Sequence, residues 1–336
     1  MLLALTALAV MSTSAANDWV VYEGTEGPGV GKHIVFLAGD EEYRSEEGLP
    51  QLAKILAFRH GFKCTVLFSI GEGGVIDPDV RDNQPGLEAL DEADLCVMLL
   101  RFREWPDEQM KHFVDYYLAG KPIIALRTST HAFDHKSGAY KRFGFRSKEW
   151  PGGFGKHVLG ETWVSHWGIH GVQATRGIFS PQTESHLVLR GVKDVFVTTD
   201  VYEAHPNGTT LMFGEVVDGM RPDAPAATGK KMNVFGNEQG LNEFKMSIVW
   251  LRDFKNESGN ANRILTTTMG AATDLLNEGL RRLLVNGAYW MVGLSVPDRA
   301  DVSLVGVYEP SDFGFGGFRK GVKPSDHEGR VPRSGP

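Results

Sequence analysis

Four short runs in the first 130 residues, HIVFLA, KCTVLF, DLCVMLL and PIIAL, restrict the fold more than any other feature of the chain. Each is apolar at both alternating sets of positions, so each reads as a strand buried on both faces. Helical patterns separate them. Leu49, Leu52, Ala53 and Leu56 fall at i, i+3, i+4 and i+7, with Ser45 as the expected cap, Pro50 in the first turn and Gly61 as the stop. A short helix is expected over Gly86–Glu92. Met110, Phe113, Val114 and Tyr117 mark a further helix that Pro106 opens and Gly120 closes. This alternation predicts a doubly wound, flavodoxin-like α/β fold. Its sheet is mostly parallel with helices on both faces, carries extra strands, and begins in the order 2-1-3-4. In that order Cys64 and Cys96 stand two strand spacings apart, about 9–10 Å, beyond disulfide reach. Two buried thiols are expected.

The second half is less regular. Strands are expected at Leu211–Val217, Met246–Leu251 and Arg263–Thr268. A helix follows over Leu275–Val292, with Leu276, Leu280, Leu283 and Leu284 on its buried face. Residues 218–242 read as a polar surface insertion. The α/β domain is placed at 32–294, followed by a Gly/Phe-rich tail, 295–336, expected to dock across it. Stretch 307–324 is the candidate for self-association or partner docking. LLALTALAV ahead of Ser14-Ala15-Ala16 resembles a secretory signal peptide at 1–16, which predicts an exported, periplasmic or extracellular protein. No run approaches the roughly 20 apolar residues that span a membrane. The net charge of −7 argues against a nucleic-acid partner.

Ligands of open α/β sheets bind beyond the carboxyl ends of the strands, where strand order reverses. Three segments fall there: Asp40–Arg44, Arg101–Arg103 and Arg127–His131. Glu42, Tyr43 and Arg44 read equally as site groups or as helix-start chemistry, whereas Glu46 and Glu47 read as acids complementing a helix dipole. Arg101, Arg103 and Arg127 can clamp a polyhydroxylated ligand by forked hydrogen bonds, or pair with the nearby carboxylates. His131/His135 and His166/His170 form two i, i+4 pairs, a metal-ligand spacing on a helix, although neither has the HExxH pattern. No nucleophile elbow and no glycine-rich phosphate loop follows the first strand.

HIVFLAGDEEYR, PIIALRTSTHAF, TDVYEA, IVWLRDF and ILTTTMGA together resemble the trehalose-utilisation (ThuA-like) family over roughly residues 32–294. The resemblance implies a class I glutamine amidotransferase-like fold and a setting in sugar catabolism, in an exported bacterial version. The family's strand-one Gly-Gly-His becomes Gly39-Asp40-Glu41-Glu42, followed by Tyr43, and its Leu-His-Ser-Ala becomes Leu126-Arg127-Thr128-Ser129. Its Phe-x-Gly-His matches Val164-Ser165-His166 loosely, and its Asp-Glu-x-Tyr corresponds to Asp200-Val201-Tyr202-Glu203. The histidine after its late Thr-Thr-x-Gly is replaced where Gly270 leads into Ala271. Three family histidines are thus absent, as is the amidotransferase cysteine, so glutaminase activity is not expected.

The expected activity is acid/base chemistry on a sugar, disaccharide or keto-sugar, of hydrolase or lyase type. Glu42, His131 and His166 are its catalytic candidates. Asp40, Glu41, Tyr43, Arg44, Arg101, Arg103, Arg127, Thr128, Thr130, Asp200 and Tyr202 are the candidates for binding the small-molecule carbohydrate. No cofactor is expected. The alternatives are a non-catalytic sugar-binding or scaffold protein with a docking tail, and a divalent-metal hydrolase using His131, His166 and His170.

Overall fold

The computed structural model describes residues 17–328; the expected signal peptide lies outside them. Ten strands form one sheet: β1 (Trp19–Glu23), β2 (His33–Gly39), β3 (Lys63–Phe68), β4 (Leu95–Leu100), β5 (Ile123–Leu126), β6 (Ala174–Phe179), β7 (Phe196–Val197), β8 (Thr209–Val217), β11 (Met246–Lys255) and β12 (Ala261–Thr267). The order is β1-β3-β2-β4-β5-β12-β11-β8-β6-β7. β9 (Lys230–Met232) and β10 (Glu238–Gly240) pair as a separate hairpin within the 218–242 insertion.

Strands β3, β2, β4, β5 and β12 are contiguous and parallel, and the remaining pairings of the sheet are antiparallel. The expected 2-1-3-4 order is therefore present as β3-β2-β4-β5. Cys64 pairs with Ile34 on one side of β2, and Cys96 with Val35 on the other. Both thiols are free and buried.

The two-sided apolar pattern has a direct consequence in packing. Ile34, Phe36 and Ala38 of β2 join a core with Leu49, Leu52 and Leu56 of α1 (Ser45–His60) and with Leu280, Leu283 and Leu284 of α3 (Glu278–Met291). Val35 and Leu37 enter a second core with Met110, Phe113 and Tyr117 of α2 (Asp107–Leu118). At about 25 cal/mol per Å² of apolar surface, such residues dominate the stabilisation of the sheet.

Helix ends differ from the sequence reading in three places. Gly61 closes α1 in the left-handed region as expected, at φ 84°. Ser45 does not cap α1, however; its Oγ accepts the Asp40 N–H at 2.9 Å, and Arg44 precedes the helix at φ 57°. Pro50 lies inside α1. Leu276 is 53% exposed, because it sits in a 3-10 turn ahead of Asn277, whose side chain caps α3 by accepting the Leu280 N–H.

Candidate active site

Strands β2, β4 and β5 run side by side and in parallel, so the segments that follow them converge at one end of the sheet. Asp40 shapes the first of these loops. Its Oδ1 accepts the backbone N–H groups of Glu42 and Tyr43, at 2.8 and 2.5 Å, and its Oδ2 accepts the Thr128 hydroxyl. This is how a short acidic side chain fixes a turn. Burial, then the neighbouring Glu41 charge, push its pKa up.

Glu41 is enclosed by arginines. Its Oε1 accepts from Arg81 at 3.0 Å and Arg101 at 2.5 Å, and its Oε2 accepts from Arg103 at 2.9 Å. Arg103 also donates to Ser69 Oγ and to the carbonyls of Pro78, Val80 and Arg101. Arg44 is buried and donates to the carbonyl of Gly314 in the tail. Asp40, Glu41, Arg44 and Arg103, all expected on the substrate, thus direct their polar atoms to protein groups. A buried charge needs such partners, since leaving it unpaired costs several kcal/mol.

Arg127 and Asp200 form a buried ion pair at the centre of this cluster. Both are buried, with Nη2 donating to Asp200 Oδ1 at 2.8 Å and to the Tyr43 hydroxyl at 3.1 Å. Nη1 donates to the carbonyls of Asp200 and Thr268. The guanidinium lies between the rings of Tyr43 and Tyr202, 4.3 and 4.1 Å from their centroids. Burial acts to raise the Asp200 pKa. The Arg127 charge and hydrogen bonds from His166 and His170 prevail and hold it well below the usual carboxylate range. Burial likewise pushes the pKa of both tyrosines up, so their hydroxyls keep their protons.

Two imidazoles share the Asp200 carboxylate. His166 Nδ1 lies 2.8 Å from Oδ2, and His170 Nδ1 lies 3.1 Å from Oδ1. His170 Nε2 is also 3.3 Å from Glu42 Oε1. Both histidine side chains are about one-third exposed, whereas Asp200 is sealed beneath them. Burial, then the Asp40 charge, push the Glu42 pKa up against the pull of Arg101, Arg127 and His170. His131 differs. It is buried among Phe102, Phe145 and Trp163, and burial followed by the Arg101 and Arg127 charges drives its pKa well down. It stands as a neutral imidazole, with Thr130 Oγ1 at 3.3 Å from its Nδ1.

The 218–242 insertion reaches this site, since Lys231 Nζ donates to the His166 carbonyl. So does the tail. Phe313 packs against Tyr43 and His170 with ring centroids 5.5 and 5.4 Å apart. Arg81, Trp163 and Phe313 were not among the expected site residues. Trp163 was the most accessible of the three, standing three residues before His166 and contacting both His131 and His166.

His166, His170 and Asp200 place donor atoms within 4.8 Å of one another. This set contains Asp200 where the sequence reading had His131. Its chemistry suits a divalent transition ion, although the Asp200 charge is already matched by Arg127.

The sequence matches no family model and no curated protein. Two solved structures assigned as ThuA-like are similar to it. That from Parabacteroides merdae ATCC 43184 aligns at TM-score 0.50 and 15% identity, over 79% of this chain and 92% of that one. That from Bacteroides uniformis ATCC 8492 aligns at TM-score 0.43 and 14% identity, over 80% of this chain and 93% of that one. At such identity the likeness is one of fold alone.

Proposed function

We propose that the chain serves carbohydrate utilisation, holding a small sugar or keto-sugar in the crevice above Asp200 and acting on it by acid/base chemistry. One observation carries this reading: a single ionised, buried carboxylate orients two part-exposed imidazoles, one of which also meets Glu42. With His166 Nδ1–H donating to Asp200, its Nε2 presents a lone pair and serves as the base. His170 lies between the Asp200 and Glu42 carboxyl groups, and Glu42, whose pKa burial pushes up, serves as the acid. Groups so placed contribute typically 10²–10⁴-fold in rate. Arg127 fixes Asp200, and Tyr43 and Tyr202 flank its guanidinium. The leader-like residues 2–10 support export, and the acidic net charge argues against a nucleic-acid partner. Both cysteines are buried with pKa pushed up, which gives no support to glutaminase chemistry.

The test is to incubate the protein with glucose, trehalose, cellobiose and their 3-keto forms, and to read products by mass spectrometry. Conversion of at least one sugar supports the reading. Binding by calorimetry without any product supports a sugar-binding protein instead. A metal-dependent reading is favoured by the His166–His170–Asp200 cluster. Metal analysis of unchelated protein decides it: a stoichiometric transition ion supports this second reading, and metal-free protein with full turnover removes it.

A further inference from the structure

The tail is anchored along the start of α1 and the loop that precedes it. Tyr308 donates its hydroxyl to the Ala272 carbonyl at 2.7 Å, and the Ser311 N–H donates to Glu47 at 2.6 Å. The Gly314 N–H donates to the Glu42 carbonyl at 2.8 Å, while Arg44 holds the Gly314 carbonyl. Further on, Val322 accepts the Ile76 N–H at 2.8 Å. Arg44 takes a left-handed φ of 57°, a conformation unfavourable for an L-residue, and its buried guanidinium meets the tail. Gly314 and Gly316, at φ 142° and 68°, let the chain turn between these anchors. The path presents two aromatic rings to the site. Phe313 lies on Tyr43 and His170, and Phe315 lies over the Arg101 guanidinium at 4.9 Å while remaining 63% exposed.

An exposed aromatic ring beside hydrogen-bonding groups suits a ligand that is apolar on one face and polar at its rim. Sugar rings have that character, with C–H groups on the face and hydroxyls around the edge. The geometry points to Phe313 and Phe315 as positioning residues: an aromatic wall, supplied by the C-terminal tail, on which the C–H face of a sugar ring seats. Arg101, stacked against one face of the Phe315 ring, borders this seat and offers its guanidinium to the hydroxyl rim. The class of ligand rests on the carbohydrate reading above, and the wall itself rests on the contacts of the tail.

Phe315→Ala removes an exposed ring and leaves the anchors in place. Calorimetry and kinetics with the same six sugars should show Kd and KM raised about tenfold, equivalent to 1.4 kcal/mol, with kcat within about twofold of wild type. Phe315→Tyr should restore binding. Unchanged Kd and KM in Phe315→Ala overturn the proposal. Amide hydrogen exchange tests the wall without any sugar. Slow exchange at Gly314 is expected, and exchange there at the rate of an unstructured chain overturns the wall. A wild type that binds none of the six sugars overturns the carbohydrate reading and the ligand named here, while exchange at Gly314 still decides the wall.

Discussion

At Asp200 one buried carboxylate meets a guanidinium and two imidazoles, so its removal tests structure and chemistry together. Asp200→Asn leaves Arg127 buried without its counter-charge, a change that typically costs 3–5 kcal/mol. Urea unfolding should show a loss of that order, and a loss below about 1 kcal/mol would contradict the role given to the pair. Because the folded-state pKa of Asp200 is depressed, its stabilisation is present above the unfolded value of about 3.9. It is lost as pH falls below that toward the folded value. Glu46 has the opposite sign. It is buried, both its carboxyl oxygens lack hydrogen-bond partners, and burial pushes its pKa up to about 8. Between about pH 4.3 and that value the folded chain holds a proton that the unfolded chain has released. Stability therefore falls as pH rises through this window. Glu46→Gln should be more stable than wild type at pH 8 by urea midpoint, with the difference shrinking at pH 5.5. Parallel pH dependence in the two proteins would contradict this. Glu46 also shows where the sequence misleads. An acid in a first helical turn normally sits in water, and nothing local reveals that the tail pairs with neighbouring Glu47 through Ser311 and Arg319.

Among the elements, the strands from 33 to 126 were legible because burial on both faces leaves an uninterrupted apolar run. β1 and β6 were not. β1 is an edge strand buried at alternate positions only, and β6 (ATRGIF) alternates poorly because much of it is part-exposed. The convergence of the strand-end segments followed from topology alone. Which side chains turn inward did not, because the partners are remote in sequence: Arg81 lies 40 residues from Glu41, and Gly314 lies 270 from Arg44. One contact between segments gives a sharp prediction. Gly155 opens a short π-helical turn, Gly155–Leu159, and a Cβ there would stand 1.9 Å from the Thr130 carbonyl oxygen. Gly155→Ala must therefore displace the segment that carries His131. Overpacking of this kind costs typically 1–3 kcal/mol, so the melting temperature should fall by several degrees. An unchanged melting temperature would show that the two segments are not held together as described.

For the whole molecule, the parallel half of the sheet brings the charged loops together, and later segments complete the site. His166, His170, Asp200 and Tyr202 come from beyond the parallel strands β2–β5, and Phe313 comes from the tail. This division explains why the convergence of the charged loops was readable from the first 130 residues, while the segments that join them needed the fold. In the proposed function, the groups held around Asp200 perform acid/base chemistry on a sugar. The most direct test compares wild type, His166→Gln and Glu42→Gln on whichever of the six sugars is converted, with circular dichroism confirming that all three are folded. Each substitution should lower kcat by about 10²-fold or more while the folded spectrum is retained; kcat values within about twofold of wild type in both variants would contradict acid/base chemistry by these groups.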